Sequence, residues 1–240
     1  MIFSLKTAEL FLRIIFIIAA YIPVVTLAGY MRARIAKKMG DSLPEDFGFL
    51  SLNPLVHMSF FSMFVTIICQ LMGGSLFVGF GNYIPLDRDA IVGRFRWTKI
   101  FFVQMADVIV PFILSVLTAF FLVVLYSYKA VLLISDPLSF RSIATILGTS
   151  ASYFTITGVS FLLALYVISY ALTVLNFLIN TCSLLGYALR YGRENRSYGD
   201  GIELLSILIF WIFLGPSIDK GIKFLILSMA DVLTSTVGIA

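Results

Sequence analysis

The chain has 240 residues, 60% of them hydrophobic and 12% charged, with 23 Phe and 11 Tyr. Soluble domains carry about 45–50% apolar and about 25% charged residues, so this composition excludes an ordinary soluble protein and implies an integral membrane one. The formal net charge of +4 matters less than its placement, because Lys and Arg beside membrane spans set orientation; no nucleic-acid partner is expected.

The first element is an uncharged run from Ile14 to Met31, 18 residues long. At 1.5 Å per residue it is long enough to cross a hydrocarbon core of about 30 Å. Pro23 lies inside it and is expected to kink the helix unless neighbours satisfy the freed carbonyl. No small-residue cleavage site follows, so the run reads as span one rather than as a signal peptide. Arg32, Arg34, Lys37 and Lys38 come next and place this end in the cytoplasm. After a polar turn around Pro44, Phe47 to Leu52 alternates like a short strand and stops at Asn53-Pro54.

From Phe47 to Leu86 there is no Asp, Glu, Lys or Arg. The tract is interrupted by Asn53-Pro54, Gly73-Gly74, Gly79, Gly81 and Pro85, which a plain membrane helix would not favour. Arg88, Arg94, Arg96 and Lys99 follow it, so basic clusters flank both ends. A single crossing would leave one cluster outside. A segment over 53–86 that enters the membrane and returns leaves both inside, with Gly73-Gly74 available for the bend. Irregular backbone at that depth needs protein or water around it.

Val108 to Tyr128 is the next span, 21 uncharged residues with Pro111 near the start. The loop carrying Lys129, Asp136 and Arg141 is then external. Ser142 to Leu189 is uncharged for 48 residues, too long for one bilayer helix. Its Ser/Thr-rich part, Thr145 to Gly158, is expected at the interface or between helices, and the crossing over Phe161 to Ile179. Arg190, Arg193 and Arg196 return the chain to the cytoplasm. Leu204–Leu214 and Phe224–Ala240 are apolar and either span or lie flat. The reading is an all-α integral membrane protein of one domain, 1–240. It has about four to six transmembrane helices and a short membrane-associated strand or re-entrant segment.

The sequence carries little chemistry. His57 is the single histidine, and a zinc site needs three or four ligands from His, Cys, Asp or Glu. Cys69 and Cys182 read as small buried hydrophobes. His57 reads as an interfacial or buried polar group. Gln70, Asn176 and Asn180 read as helix-to-helix hydrogen-bonding groups. Asp107 reads as a solvated or ion-paired carboxylate, with Lys99 or the interface in reach.

Phe49-Leu50-Ser51-Leu52-Asn53-Pro54-Leu55-Val56-His57 resembles the R-L-T-L-N-P-L-x-H segment of bacterial site-2 proteases, which are membrane-embedded zinc metalloproteases. Gly79-Phe80-Gly81-Asn82-Tyr83-Ile84-Pro85-Leu86-Asp87 resembles their G-F-G-W-A-K-P-V-P-V-N segment, with one of the two family prolines kept as Pro85, at the family's spacing. Weaker similarities fall at Ile109-Val110-Pro111-Phe112 and at Leu208 to Ile218. In the register fixed by Gly40-Asp41, the family's H-E-x-x-H falls on Ala28, Gly29 and Arg32; its third ligand, the Asp of P-P-L-D-G, falls on Leu185 by the match to Cys182-Ser183-Leu184-Leu185-Gly186. No zinc ligand and no general-base Glu is present at those positions, so no water would be activated for hydrolysis.

The resemblance therefore implies a site-2-protease-like bundle without a catalytic centre, with no metal and no cofactor, in a bacterial inner membrane. It implies a binding or structural subunit that holds a partner's transmembrane segment through Phe49, Leu50, Ser51, Leu52, Asn53, Pro54, Tyr83 and Pro85. In the family, the strand at 47–54 is where an extended segment adds by β-pairing, which needs no catalysis. Two other readings stand beside it. The polar 142–158 tract and the re-entrant segment would line a permeation path, or another subunit would lend ligands to an active peptidase.

Overall fold

The structure is a computed structural model that describes residues 5–71, 80–126, 140–148 and 152–190. These residues form seven helices: α1 (Leu5–Met39), α2 (Leu43–Asp46), α3 (Pro54–His57), α4 (Phe60–Leu71), α5 (Arg96–Tyr126), α6 (Phe140–Leu147) and α7 (Tyr153–Arg190). Three stretches are long and apolar enough to cross a membrane: Glu9–Met39, Arg96–Tyr126 and Phe154–Ala188. The tail segments at 204–214 and 224–240, and the loop with Lys129 and Asp136, lie outside the described residues.

The bundle is built by α5 packing on α7 and α1, with α1 also against α7. Ile17, Ala20, Tyr21, Val24 and Val25 of α1 meet Ala164, Ile168 and Leu172 of α7. Leu122 of α5 joins Ile143 of α6 and Ile156, Val159 and Leu163 of α7. Small residues sit at the buried contacts, among them Ala20, Ala28, Ala33, Ala36, Ala106 and Ala164, which lets helices approach closely where lipid supplies no hydrophobic drive. The large side chains point outward instead: Phe11, Ile15, Phe112, Ile113, Phe120, Phe121 and Leu125 are all exposed. In water such a surface would be an aggregation hazard, whereas a bilayer is its natural solvent. Buried hydroxyls return to their own helices, as Thr26 Oγ1 to Ile22 O (2.7 Å) and Ser160 Oγ to Ile156 O (2.7 Å).

The helices run further than their uncharged cores. α1 continues through Pro23, and α5 begins at Arg96, well before the Val108 expected. The 142–158 tract is divided by Gly148, which at φ +93° ends α6 in the left-handed region. Ser152 then starts α7, its Oγ accepting from Thr155 N at 3.2 Å. The helix extends well past the Phe161–Ile179 expected for the crossing.

The strand expected over Phe47–Leu52 is a turn. The preceding helix α2 leaves carbonyls that capture the next N–H groups: Gly48 N donates to Glu45 O (2.8 Å) and Phe49 N to Pro44 O (2.9 Å). Gly48 at φ +78° curls the chain back. Burial does not alternate along it: Phe47 and Gly48 are exposed, Phe49 is buried, Leu50 is half-buried, and Ser51 and Leu52 are exposed again.

The ends of the 53–86 segment meet. Met58 forms an antiparallel bridge with Gly81, and Asn82 N donates to His57 O at 2.8 Å. Between them the described helix α4 has 12 residues, about 18 Å long. The bend residues Gly73 and Gly74 lie outside the described residues. Tyr21 of α1 pins both arms: its hydroxyl accepts from Ser59 N (3.2 Å) and donates to Phe80 O (2.9 Å). Phe80 N donates to Ser62 Oγ (2.7 Å), and Asn82 Nδ2 to Val56 O (2.9 Å).

Candidate functional site

The positions singled out by the sequence lie around the middle of α1. Ala28 is buried. Gly29 faces the ring of His57 so closely that a Cβ built there would overlap Nδ1 and lie 3.2 Å from Cε1. His57 is only 2% exposed and stands edge-on to Phe49. Its Nε2 is 2.8 Å from Ser51 O, so that nitrogen carries the proton and donates. Among the described residues Nδ1 is a buried lone pair with no partner. Burial holds the imidazole below its ordinary value, against the opposing pull of the Ser51 carbonyl, and the ring is neutral at neutral pH.

One turn further, Arg32 is turned into the bundle. Its Nη1 donates to Asp107 Oδ2 of α5 at 2.7 Å, and the two side chains are 11% and 12% exposed. Asp107 lies in an apolar helix where an unpaired carboxylate would be expensive, and two groups of α7 complete its shell. Asn180 Nδ2 donates to Oδ1 (2.6 Å) and Asn176 Nδ2 to the Asp107 carbonyl (3.1 Å). These two asparagines are the inter-helix hydrogen-bonding groups that their sequence context indicates.

The polar line continues from there to the surface. Gln104 Nε2 donates to Asn180 Oδ1 (2.9 Å), and Arg88 Nη2 donates to Gln104 Oε1 (3.3 Å) and Ser183 Oγ (2.5 Å). The Arg88 guanidinium lies 4.9 Å from the centroid of the Tyr187 ring. Asp41, buried at the end of α1, joins the two ends of the region. Oδ1 accepts from Leu43 N and Oδ2 from Asp87 N, each at 3.0 Å.

Leu185 does not join Ala28, Gly29 and Arg32 in this interior. It is 60% exposed, and it lies about 140° around α7 from Asn180. Among the described residues, no group of three or more His, Cys, Asp or Glu lies close enough to share a metal ion. Of the expected contact residues, Ser51, Leu52, Asn53 and Tyr83 are exposed, Tyr83 by 83%. Phe49 is buried against Ala33 and Ile84 with Leu50 beside it, so it supports the turn from below. Asn53 caps α3, its Oδ1 accepting from Leu55 N at 3.1 Å, and Pro54 occupies the first turn. Pro85 is half-buried.

The pair Arg32–Asp107 was not legible in the sequence as a pair. The signal was present in one half only, since a carboxylate inside an apolar helix demands a cation. The partner stands 75 residues away on another helix. No protein-family profile, curated protein or solved structure matches this chain.

Proposed function

We propose that this protein is a non-catalytic membrane subunit, similar in scaffold to site-2 proteases, that holds or positions a partner's transmembrane segment along the 47–87 region. The observation that carries the reading is the contrast between the root and the flank of that region. The root is fixed by Tyr21, Ser62, Asn82 and His57. The flank presents Leu52, Leu55, Phe60, Phe61, Phe64 and Tyr83 exposed. A mostly apolar flank, exposed among the described residues and held at its root, is suited to a hydrophobic segment of another protein. The positions of the resembled zinc motif meanwhile serve packing, with His57 in the niche of Gly29 and Arg32 committed to Asp107. On this proposal the bundle has about four to six transmembrane helices, and the setting is a bacterial inner membrane.

Photo-crosslinkers at Leu52 and Tyr83, read in native membranes against one at lipid-facing Phe112, test it. A discrete membrane-protein adduct is expected at the first two sites and not at the third, and Leu55→Asp should abolish it. Adducts to lipid alone at all three sites would refute it. A second reading, a permeation component, draws support from the buried Arg32–Asp107 pair and the polar line behind it. Ion and solute flux in proteoliposomes, lost on Asp107→Asn, would favour it over the first.

A further inference from the structure

Residues 87–95 connect the returning arm of the hairpin to α5, and Arg96 ties them down. Its Nε donates to Ile91 O (2.9 Å), and its Nη2 to Arg88 O (3.1 Å), Asp89 Oδ1 (2.8 Å) and Tyr187 OH (2.7 Å). Lys99 Nζ closes onto Val92 O at 3.0 Å. Ile91 anchors the loop beneath, packed with Ala36 and Met39 of α1 and Ile100 of α5. The loop is therefore well fixed, yet it turns apolar side chains outward: Val92 is 67% and Phe95 68% exposed, with Trp97 beside them. Phe95 adopts φ 66°, a left-handed backbone that bulky residues avoid and that persists where surroundings impose it, often at functional positions.

Four cations share this end of the bundle. Arg34 and Lys38 lie on the last turns of α1, and Arg94 and Lys99 flank Phe95; among the described residues none of the four is ion-paired to a carboxylate. The Arg94 guanidinium rests 5.2 Å from the Phe95 ring centroid. The exposed apolar surface continues along α5 through Phe101 and Phe102, directly into the spanning stretch.

We infer that this end of the molecule is a binding surface for anionic phospholipid. Val92, Phe95 and Trp97 enter the boundary between headgroups and acyl chains, where aromatic residues concentrate. Arg94 and Lys99 hold the headgroup phosphate. An acidic soluble partner would match the cations but not the apolar surface running without a break into a membrane helix.

The test uses the full chain in nanodiscs of phosphatidylcholine alone or mixed with phosphatidylglycerol. The anionic lipid should raise the melting temperature by about 5 °C or more. Arg94→Gln should lose part of that gain and Arg94→Gln with Lys99→Gln most of it. Among the described residues Arg94 makes no hydrogen bond, so its single variant keeps the test valid if the double one fails to fold. Phe95→Gly relieves the left-handed backbone, so it should melt no lower than wild type in phosphatidylcholine while gaining less from phosphatidylglycerol. Equal melting in the two bilayers, or a full gain in both cation variants, would overturn the inference. So would the same gain from soluble glycerol phosphate, which would indicate a free-phosphate site.

Discussion

Gly29→Ala tests the packing of the hairpin on α1 most directly. A methyl group there overlaps His57 Nδ1 and comes within 3.2 Å of Cε1 and 3.3 Å of Cγ. The ring has no easy escape: it is buried against Phe49, tied to Ser51 O through Nε2, and its own carbonyl receives Asn82 N. Overpacking of this kind costs about 1–3 kcal/mol, and losing the Nε2 bond adds about 1 kcal/mol. Alanine returns up to about 1 kcal/mol as the better helix former. The net expectation is a loss of about 1–3 kcal/mol, measured by denaturant or thermal unfolding of the purified protein in one detergent. In a His57→Ala background the obstacle is gone, and the same Gly29→Ala change should be neutral or stabilising by up to about 1 kcal/mol. If Gly29→Ala is stabilising with His57 present, the account of this contact is wrong.

Removing one partner of the buried pair should be costly. Arg32→Ala leaves Asp107 uncompensated and should cost about 3–5 kcal/mol, whereas Arg32→Leu with Asp107→Leu should recover much of that; unfolding of the single and double variants decides. Tyr21→Phe removes a donor and an acceptor at the root of the hairpin and should cost about 1–3 kcal/mol, with faster amide exchange at Ser59 as the local readout. His57 predicts a pH dependence with a definite sign. Burial holds it below its ordinary value of 6.5, so the unfolded chain binds the proton more readily than the folded one. The stability this contributes is complete above 6.5 and is lost as pH falls through that value towards the folded one. Melting at pH 5 should therefore fall relative to pH 7.5, and His57→Gln should reduce that dependence.

Much of the architecture was legible because apolar length is a strong signal. Ile14–Met31 and Val108–Tyr128 lie inside α1 and α5, apart from residues 127 and 128, which fall outside the described residues. Asn176 and Asn180 bond across helices, since an amide inside an apolar helix has few other options. The bridge between Met58 and Gly81 joins residues 23 positions apart, a contact that charge placement alone does not specify. The turn at Phe47–Leu50 misled because so short a run of alternating letters is compatible with a strand and with a turn. Only the carbonyls of α2 distinguish them. Arg32 looked like a charge displacing a ligand, because its partner Asp107 can be assigned only once α1 and α5 are packed. Leu185 was placed by motif register alone, and helix rotation turns it outward.

Gly29 and Arg32 are three residues apart on one helix, and each is keyed to a different body: the first to the hairpin through His57, the second to the bundle through Asp107. α1 therefore has a single azimuth and a single height at which both keys fit. Register along α1 is thus fixed twice within one turn, by shape at Gly29 and by charge at Arg32.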